Sequence, residues 1–272
     1  MTLIMGVVNV TDDSFSDGGM FSDVDAAVRQ GSLLASQGAS IVDVGGESTR
    51  PGARRISEAE EQDRVIPVIS ALSAAGLKVS VDTMRSSTAA LAVREGARII
   101  NDVSGGRADP DMLSVIAEEK VECVLMHWRT HSLTMQQETH YDDVVTDVIN
   151  ELDDRRQAAL AAGIPGDKII LDPGIGFSKS WDQNWELLGN LDRFQDMGHR
   201  LLVGVSRKRF LGELLQGRPP IGRDAATAAI STWCALEGIW GVRTHEVPTQ
   251  LDAIKVGVRL RQARGAPKAP VG

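Results

Sequence analysis

The chain has 272 residues, 42% of them hydrophobic and 24% charged, with a formal net charge of -8. That length suits one large domain or two small ones, and the composition is ordinary for a globular protein. The acidic balance argues against nucleic acid or an anionic membrane as the main partner, yet leaves room for a local basic pocket that takes a phosphorylated small molecule.

In chain order, an apolar strand over Leu3–Val10 runs into the polar segment Thr11–Gly19 and then a helix over Asp23–Gln37, with Val24, Ala27, Val28, Leu33 and Leu34 broadly on one side. A strand over Ile41–Gly45 leads through Gly45-Gly-Glu-Ser-Thr-Arg-Pro51 to a helix over Ser57–Ala74, whose opening Ser57-Glu-Ala-Glu60 has the form of a capping box. The alternation continues with strands at Lys78–Asp82, Arg98–Val103, Val121–His127, Lys168–Asp172, Arg200–Ser206 and Gly241–His245. Helices are expected over Ser86–Glu95, Asp109–Glu118, Tyr141–Ala162, Trp181–Gln195, Arg223–Glu237 and Thr249–Arg264, with Arg129–Thr139 as a polar loop. The end, Gly265–Gly272, is rich in Pro, Gly and Ala without periodicity and reads as a flexible tail.

Strands this continuously apolar, each followed by a helix, imply a parallel sheet covered on both faces. Eight such units fit an α/β protein with a (β/α)8 TIM barrel in a single domain, residues 1–264. A doubly wound sheet is the alternative, but a dinucleotide binder of that kind carries G-x-G-x-x-G after its first strand. Here the first strand ends in Asn9-Val-Thr-Asp-Asp-Ser14.

Cys123 and Cys234 sit in apolar runs without metal-site spacing and read as buried free thiols. No stretch is apolar for long enough to span a bilayer, and the N-terminus lacks a basic leader, so the expected location is cytoplasmic.

In a barrel, the C-terminal ends of the strands converge on the rim where active sites are built. Those ends carry Asn9, Asp82, Asn101, His127, Asp172, Ser206-Arg207-Lys208 and Arg243-Thr244-His245. One Asp before Pro-Gly is ordinary turn chemistry, but Asp82, Asn101 and Asp172 together point to one cavity. Buried carboxylates need partners, and a heterocycle edge with adjacent N–H donors would satisfy them. Lys208 would balance their charge. On an opposite side of the rim, Asn9, Arg243 and His245 form a donor group suited to phosphate oxygens. His127 reads as a structural rim residue, and Trp181, Trp185 and Trp233 as core or subunit contacts.

Over nearly its full length the chain resembles the bacterial dihydropteroate synthases, and actinobacterial members most. The resemblance is carried by Met5-Gly-Val-Val-Asn-Val-Thr-Asp-Asp-Ser-Phe-Ser-Asp-Gly-Gly19, Gly45–Gly52, Val79–Thr83, Asn101–Gly106, Leu171–Phe177, Val205–Lys208 and Arg243–His245. It implies condensation of para-aminobenzoate with hydroxymethyl-dihydropterin pyrophosphate, releasing pyrophosphate, in folate synthesis. It implies pterin binding by Thr49, Asp82, Asn101, Asp172 and Lys208, and pyrophosphate binding by Asn9, Arg243 and His245, with Asn9 holding Mg²⁺. It implies an aminobenzoate pocket of Phe15, Thr49, Arg50, Pro51 and Phe177, with backbone contact at Arg209. Asp17 would stabilise a cationic intermediate beside Lys208, Arg243 and His245. The family is also a sulfonamide target and is often a homodimer through its later helices. The first loop departs from the family pattern: Thr11-Asp12-Asp13-Ser14 stands where Thr-Pro-Asp-Ser is usual, which frees a φ angle.

A methyltetrahydrofolate-type pterin-dependent methyltransferase would share the Asp/Asn floor. It would not account for Ser206-Arg-Lys208, Arg243-Thr-His245 or Ser14-Phe-Ser-Asp17. A catalytically silent pterin-binding paralogue is the third reading.

Overall fold

The computed structural model of the protein describes residues 1–11, 20–48, 55–130 and 139–265. Eight parallel strands close into a barrel in sequence order: β1 (Leu3–Asn9), β2 (Ile41–Gly45), β3 (Val79–Asp82), β4 (Ile99–Asp102), β5 (Glu122–Met126), β6 (Ile169–Asp172), β7 (Arg200–Gly204) and β8 (Gly241–Thr244), with β8 pairing back to β1. Among the described residues the surrounding helices are α1 (Met20–Ser36), α2 (Glu58–Ala74), α3 (Ser86–Arg94), α4 (Met112–Glu119), α5 (Val144–Ala161), α6 (Trp181–Gly189), α7 (Leu191–Gln195), α8 (Arg209–Leu214), α9 (Asp224–Glu237) and α10 (Pro248–Gly265). The expected (β/α)8 barrel is therefore the observed fold.

Side-chain alternation sorts the strands into two apolar layers. Outward-facing residues such as Val42, Val79, Val81, Ile100, Leu125, Leu171 and Val203 pack under the helices in one continuous core. Inward-facing Met5, Ile41, Ile99, Val124, Ile170 and Leu202 fill the barrel, with Trp240 packed against them. Higher up, Met84, Val103 and Met126 form a small cluster with Trp128 and Phe177 at its edge. The inward positions above the Ile and Leu layer are polar: Asp43, Asp82, Asn101 and Asp172 are all at least nine-tenths buried. The apolar filling thus closes the barrel floor and leaves a polar mouth.

Several local expectations are refined. Most strands end one or two residues early, because pairing stops where the loops begin. The helix expected over 181–195 breaks at Asn190, whose φ is -123° and whose side-chain amide donates to Glu186 O at 2.8 Å, competing with the helix ladder. The helix after β4 begins at Met112, because Pro110 disfavours helical backbone at Asp109. At Ser57 only half of the expected capping box forms. Glu60 N–H donates to Ser57 Oγ at 3.2 Å, while the Glu60 carboxylate turns to Arg64 at 2.6 Å. A complete box stands instead at Ser180 and Gln183, opening α6. No described helix is long and apolar enough to cross a membrane.

Candidate active site

Strand register builds the mouth. Asn9 pairs with Gly45, Gly45 with Asp82, and Asp82 with Asn101, so four strand ends share one row. Gly45 matters here because a Cβ in its place would lie 3.3 Å from Asp82 Cβ. On the facing wall, Asp172 stands level with Met126. Asn101 points inward. Its neighbour Asp102 points outward and ties its own turn, accepting from Ser104 N–H at 2.8 Å and Gly106 N–H at 2.6 Å.

The expectation of two opposed pockets is corrected by Arg243. It rises past Gly204 and spans the slot, donating from Nε to Asp43 Oδ2 and from Nη2 to Asp82 Oδ2, each at 2.7 Å. Asn101 Nδ2 donates to the same Asp43 oxygen at 3.0 Å. A guanidinium can reach two carboxylates on neighbouring strands, so the cation sits within the acidic slot rather than across from it. Burial pushes Asp82 up to about 7; Arg243 pulls against that shift and Asp43 adds to it. Burial disfavours the Arg243 cation, but Asp43 and Asp82 outweigh it and its pKa is raised.

Asp172 is fixed by Gly174 N–H, which donates to Oδ1 at 2.7 Å. Burial raises its pKa, while Lys208 and the Gly174 bond work to lower it. Lys208 Nζ donates to Ile175 O and lies 4.6 Å from the centre of the Phe177 ring. Burial lowers Lys208 to about 8 against the pull of Asp172. Gly176, at φ +85°, leaves the space for it, since a Cβ there would come within 2.8 Å of Lys208 Cδ. Arg209 is exposed at the first position of α8. His245 follows β8, and its Nδ1 lies 3.0 Å from Ser206 Oγ at the end of the neighbouring wall. Of the residues singled out in the sequence, Asn9, Asp82, Asn101, Asp172, Phe177, Lys208, Arg243 and His245 share the mouth. Phe15, Asp17, Thr49, Arg50 and Pro51 lie outside the described residues.

Two groups escaped the sequence reading. Asp43 is the buried partner of Arg243, and its other oxygen, Oδ1, has no hydrogen bond. A carboxylate in the middle of the buried strand Ile41-Val-Asp-Val-Gly45 is itself the signal, because it needs a cation. The second group is Lys179, Glu151 and Arg129, which gather around His127, the rim residue read as structural. Burial brings Lys179 down to about 7 and His127 to about 3, the latter helped by Lys179. Burial acts to raise Glu151, but its bonds to His127 and Arg129 prevail and hold it at about 2. Burial also raises the thiols of Cys123 and Cys234 to about 12, as expected of inert buried cysteines.

The sequence matches the family described as "Pterin binding enzyme" over residues 5–245. The chain belongs to this family. It is 50% identical to the dihydropteroate synthase of Mycobacterium leprae over 93% of this chain and 91% of that protein. It is 44% identical to the mitochondrial folate synthesis bifunctional protein of Pisum sativum over 98% of this chain, spanning 55% of that longer protein. Among solved structures, the Xanthomonas albilineans dihydropteroate synthase with 4-aminobenzoic acid superposes with a TM-score of 0.90 at 42% identity, covering 98% of this chain and 94% of that one. The same enzyme in complex with 7,8-dihydropteroate gives a TM-score of 0.87 at 40% identity, over 98% and 95% of the two chains. These relatives accord with the family resemblance of the sequence segments.

Proposed function

We infer that this chain is a dihydropteroate synthase, joining para-aminobenzoate to hydroxymethyl-dihydropterin pyrophosphate with release of pyrophosphate. The observation that carries the reading is one mouth in which Asp82, Asn101 and Asp172 face the cations Lys208 and Arg243, on a chain half identical to a curated synthase. The acidic slot takes the N–H-bearing edge of the pterin: Asp172, held still by Gly174, receives two adjacent donors, and Lys208 donates to the ring carbonyl. Thr49 belongs to the same pterin contact set in this reading. Arg243 and His245 hold the diphosphate and stabilise its growing charge as the C–O bond breaks. The methylene left behind is cationic and delocalised into the ring, with Asp17 proposed beside it. The aminobenzoate nitrogen attacks without prior deprotonation, so no strong base is needed. The aminobenzoate lies against Phe177 under Phe15, Thr49, Arg50 and Pro51, with its carboxylate towards the backbone at Arg209.

Mg²⁺ is part of the proposal. Asn9 offers a hard amide oxygen in the same row as Asp82, and no cluster of three His, Cys, Asp or Glu among the described residues would form an all-protein cage. That donor set fits an ion carried mainly by diphosphate oxygens and water, with Asn9 as its protein ligand. When bound, the ion would supply Lewis-acid neutralisation of the leaving group.

Pyrophosphate release that depends on the pterin substrate, aminobenzoate and Mg²⁺ tests the activity, and turnover without one of the two organic substrates would defeat it. Single-turnover release of pyrophosphate before aminobenzoate is added tests dissociation first; complete dependence on the second substrate would refute that order. Sulfonamide competition, a homodimer through the later helices and a cytoplasmic location belong to the same reading. Competition kinetics, sedimentation and cell fractionation check them in turn.

A further inference from the structure

A buried polar chain lies directly behind the β6 turn and takes no part in the chemistry above. Lys179, 3% exposed, donates from Nζ to Gly174 O at 3.0 Å and Phe177 O at 2.9 Å, and meets His127 Nδ1 at 3.0 Å. Those are three acceptors for the three protons of an ammonium. His127 then accepts at Nδ1 and donates from Nε2 to Glu151 at 3.0 Å, a tautomer assigned from its partners. Glu151, on α5, also receives Arg129 from Nε and Nη2. Arg129 lies 3.7 Å over the ring of Tyr141, and Tyr141 donates its hydroxyl to Ser178 O at 2.9 Å. Three carbonyls of one turn are thus held from behind, and their supports converge on a single carboxylate.

The front of the same turn is the substrate wall. Gly174 N–H fixes Asp172, Ile175 O receives Lys208, and the Phe177 ring lies under Lys208. The turn needs holding, because Gly174, Gly176 and Ser178 all have positive φ. An apolar side chain would fill the space of Lys179 without the cost of a buried cation. What the ammonium adds is direction, since it fixes two carbonyls and an imidazole at once.

We propose that Lys179, backed by His127 and Glu151, is a positioning residue for the synthase reaction: it sets the 174–178 turn that aims Asp172 and Phe177 at the two substrates, and touches neither. The proposal rests on the dihydropteroate synthase reading. Its test is steady-state kinetics, calorimetric binding of pteroic acid, and thermal unfolding of Lys179→Met beside the wild type. The expected result is at least a tenfold rise in KM for both substrates and a parallel rise in the pteroic acid Kd, with kcat within threefold. A merely structural lysine would lower the Tm and the active fraction, and hence kcat, while leaving KM and Kd unchanged; that result overturns the proposal. If Lys179→Met does not fold, His127→Gln decides by the same readout. It keeps an acceptor but shifts it, so a threefold or greater rise in KM or Kd supports positioning and no change refutes it. Wild-type turnover separates the two ideas. An inactive wild type defeats the synthase reading, while the variant-to-wild-type ratio of pteroic acid Kd still decides this one. If the wild type neither turns over nor binds pteroic acid, both fall.

Discussion

Ser178→Gly should stabilise the protein, against the usual sign for a glycine substitution. Ser178 has φ +49°, is 1% exposed, and its Oγ is buried without a hydrogen bond. Left-handed backbone costs a residue with a Cβ roughly 1–2 kcal/mol, which glycine avoids. A buried, unsatisfied hydroxyl costs about 1–3 kcal/mol, and the substitution removes it. Against these stands the extra freedom of glycine in the unfolded chain, about 0.5–1 kcal/mol. The balance is a gain of about 1–4.5 kcal/mol, or roughly 2–8 °C in Tm for a chain of this size. The turn should keep its shape, because its carbonyls are held by Lys179 and Tyr141 rather than by the serine hydroxyl. Thermal unfolding followed by circular dichroism measures the shift, and KM for both substrates should stay within twofold. An unchanged or lower Tm would refute the reasoning.

Four further outcomes follow from the charges and spaces of the mouth. Arg243→Met strands Asp43 and Asp82 without their cation, so stability should fall by about 3–5 kcal/mol and pyrophosphate release by about 10²-fold or more; an unchanged urea midpoint would contradict the pairing. The pH profile of kcat/KM for the pterin substrate should be a narrow bell, rising as Asp82 ionises near 7 and falling as Lys208 loses its proton near 8, and Asp82→Asn should abolish the acid limb. The sign for stability is opposite to that of the acid limb. With its carboxyl raised from 3.8 to about 7, Asp82 contributes most below pH 3.8 and loses that contribution as pH climbs towards 7, which denaturant midpoints across the range would show. Gly176→Ala should raise KM for the pterin substrate, since φ +85° and a Cβ 2.8 Å from Lys208 Cδ force the lysine to move; a KM equal to wild type would mean the turn yields instead.

The barrel was legible because parallel strands buried on both faces leave continuous apolar runs, as in Ile169-Ile-Leu171 of β6 and Leu201-Leu-Val203 of β7. The convergence of Asn9, Asp82 and Asn101 was legible for the same reason: strand ends of a closed barrel share a rim. The position of Arg243 was not. Strand order places its Cα on β8, but its reach depends on side-chain length and on Asp43, a partner 200 residues away. The Lys179–His127 contact spans 52 residues and follows no periodicity, so only the fold brings it together. The break at Asn190 was hidden because the apolar spacing continues through it, with Leu187, Leu188, Leu191 and Phe194 all buried on either side.

The distribution of charge explains how an acidic chain can serve an anionic substrate. The net charge of -8 belongs to the whole chain, whereas the mouth is nearly balanced: Asp43, Asp82 and Asp172 stand against Arg243 and Lys208. The carboxylates come from β2, β3 and β6, and the cations from β8 and from the turn after β7. No local segment therefore neutralises itself. Removing any one member leaves a buried charge elsewhere in the ring, and that is costly in a low-dielectric interior. The geometry of the site is thus tied to the register of the whole barrel, and a change at one strand end should be felt at the strand end opposite.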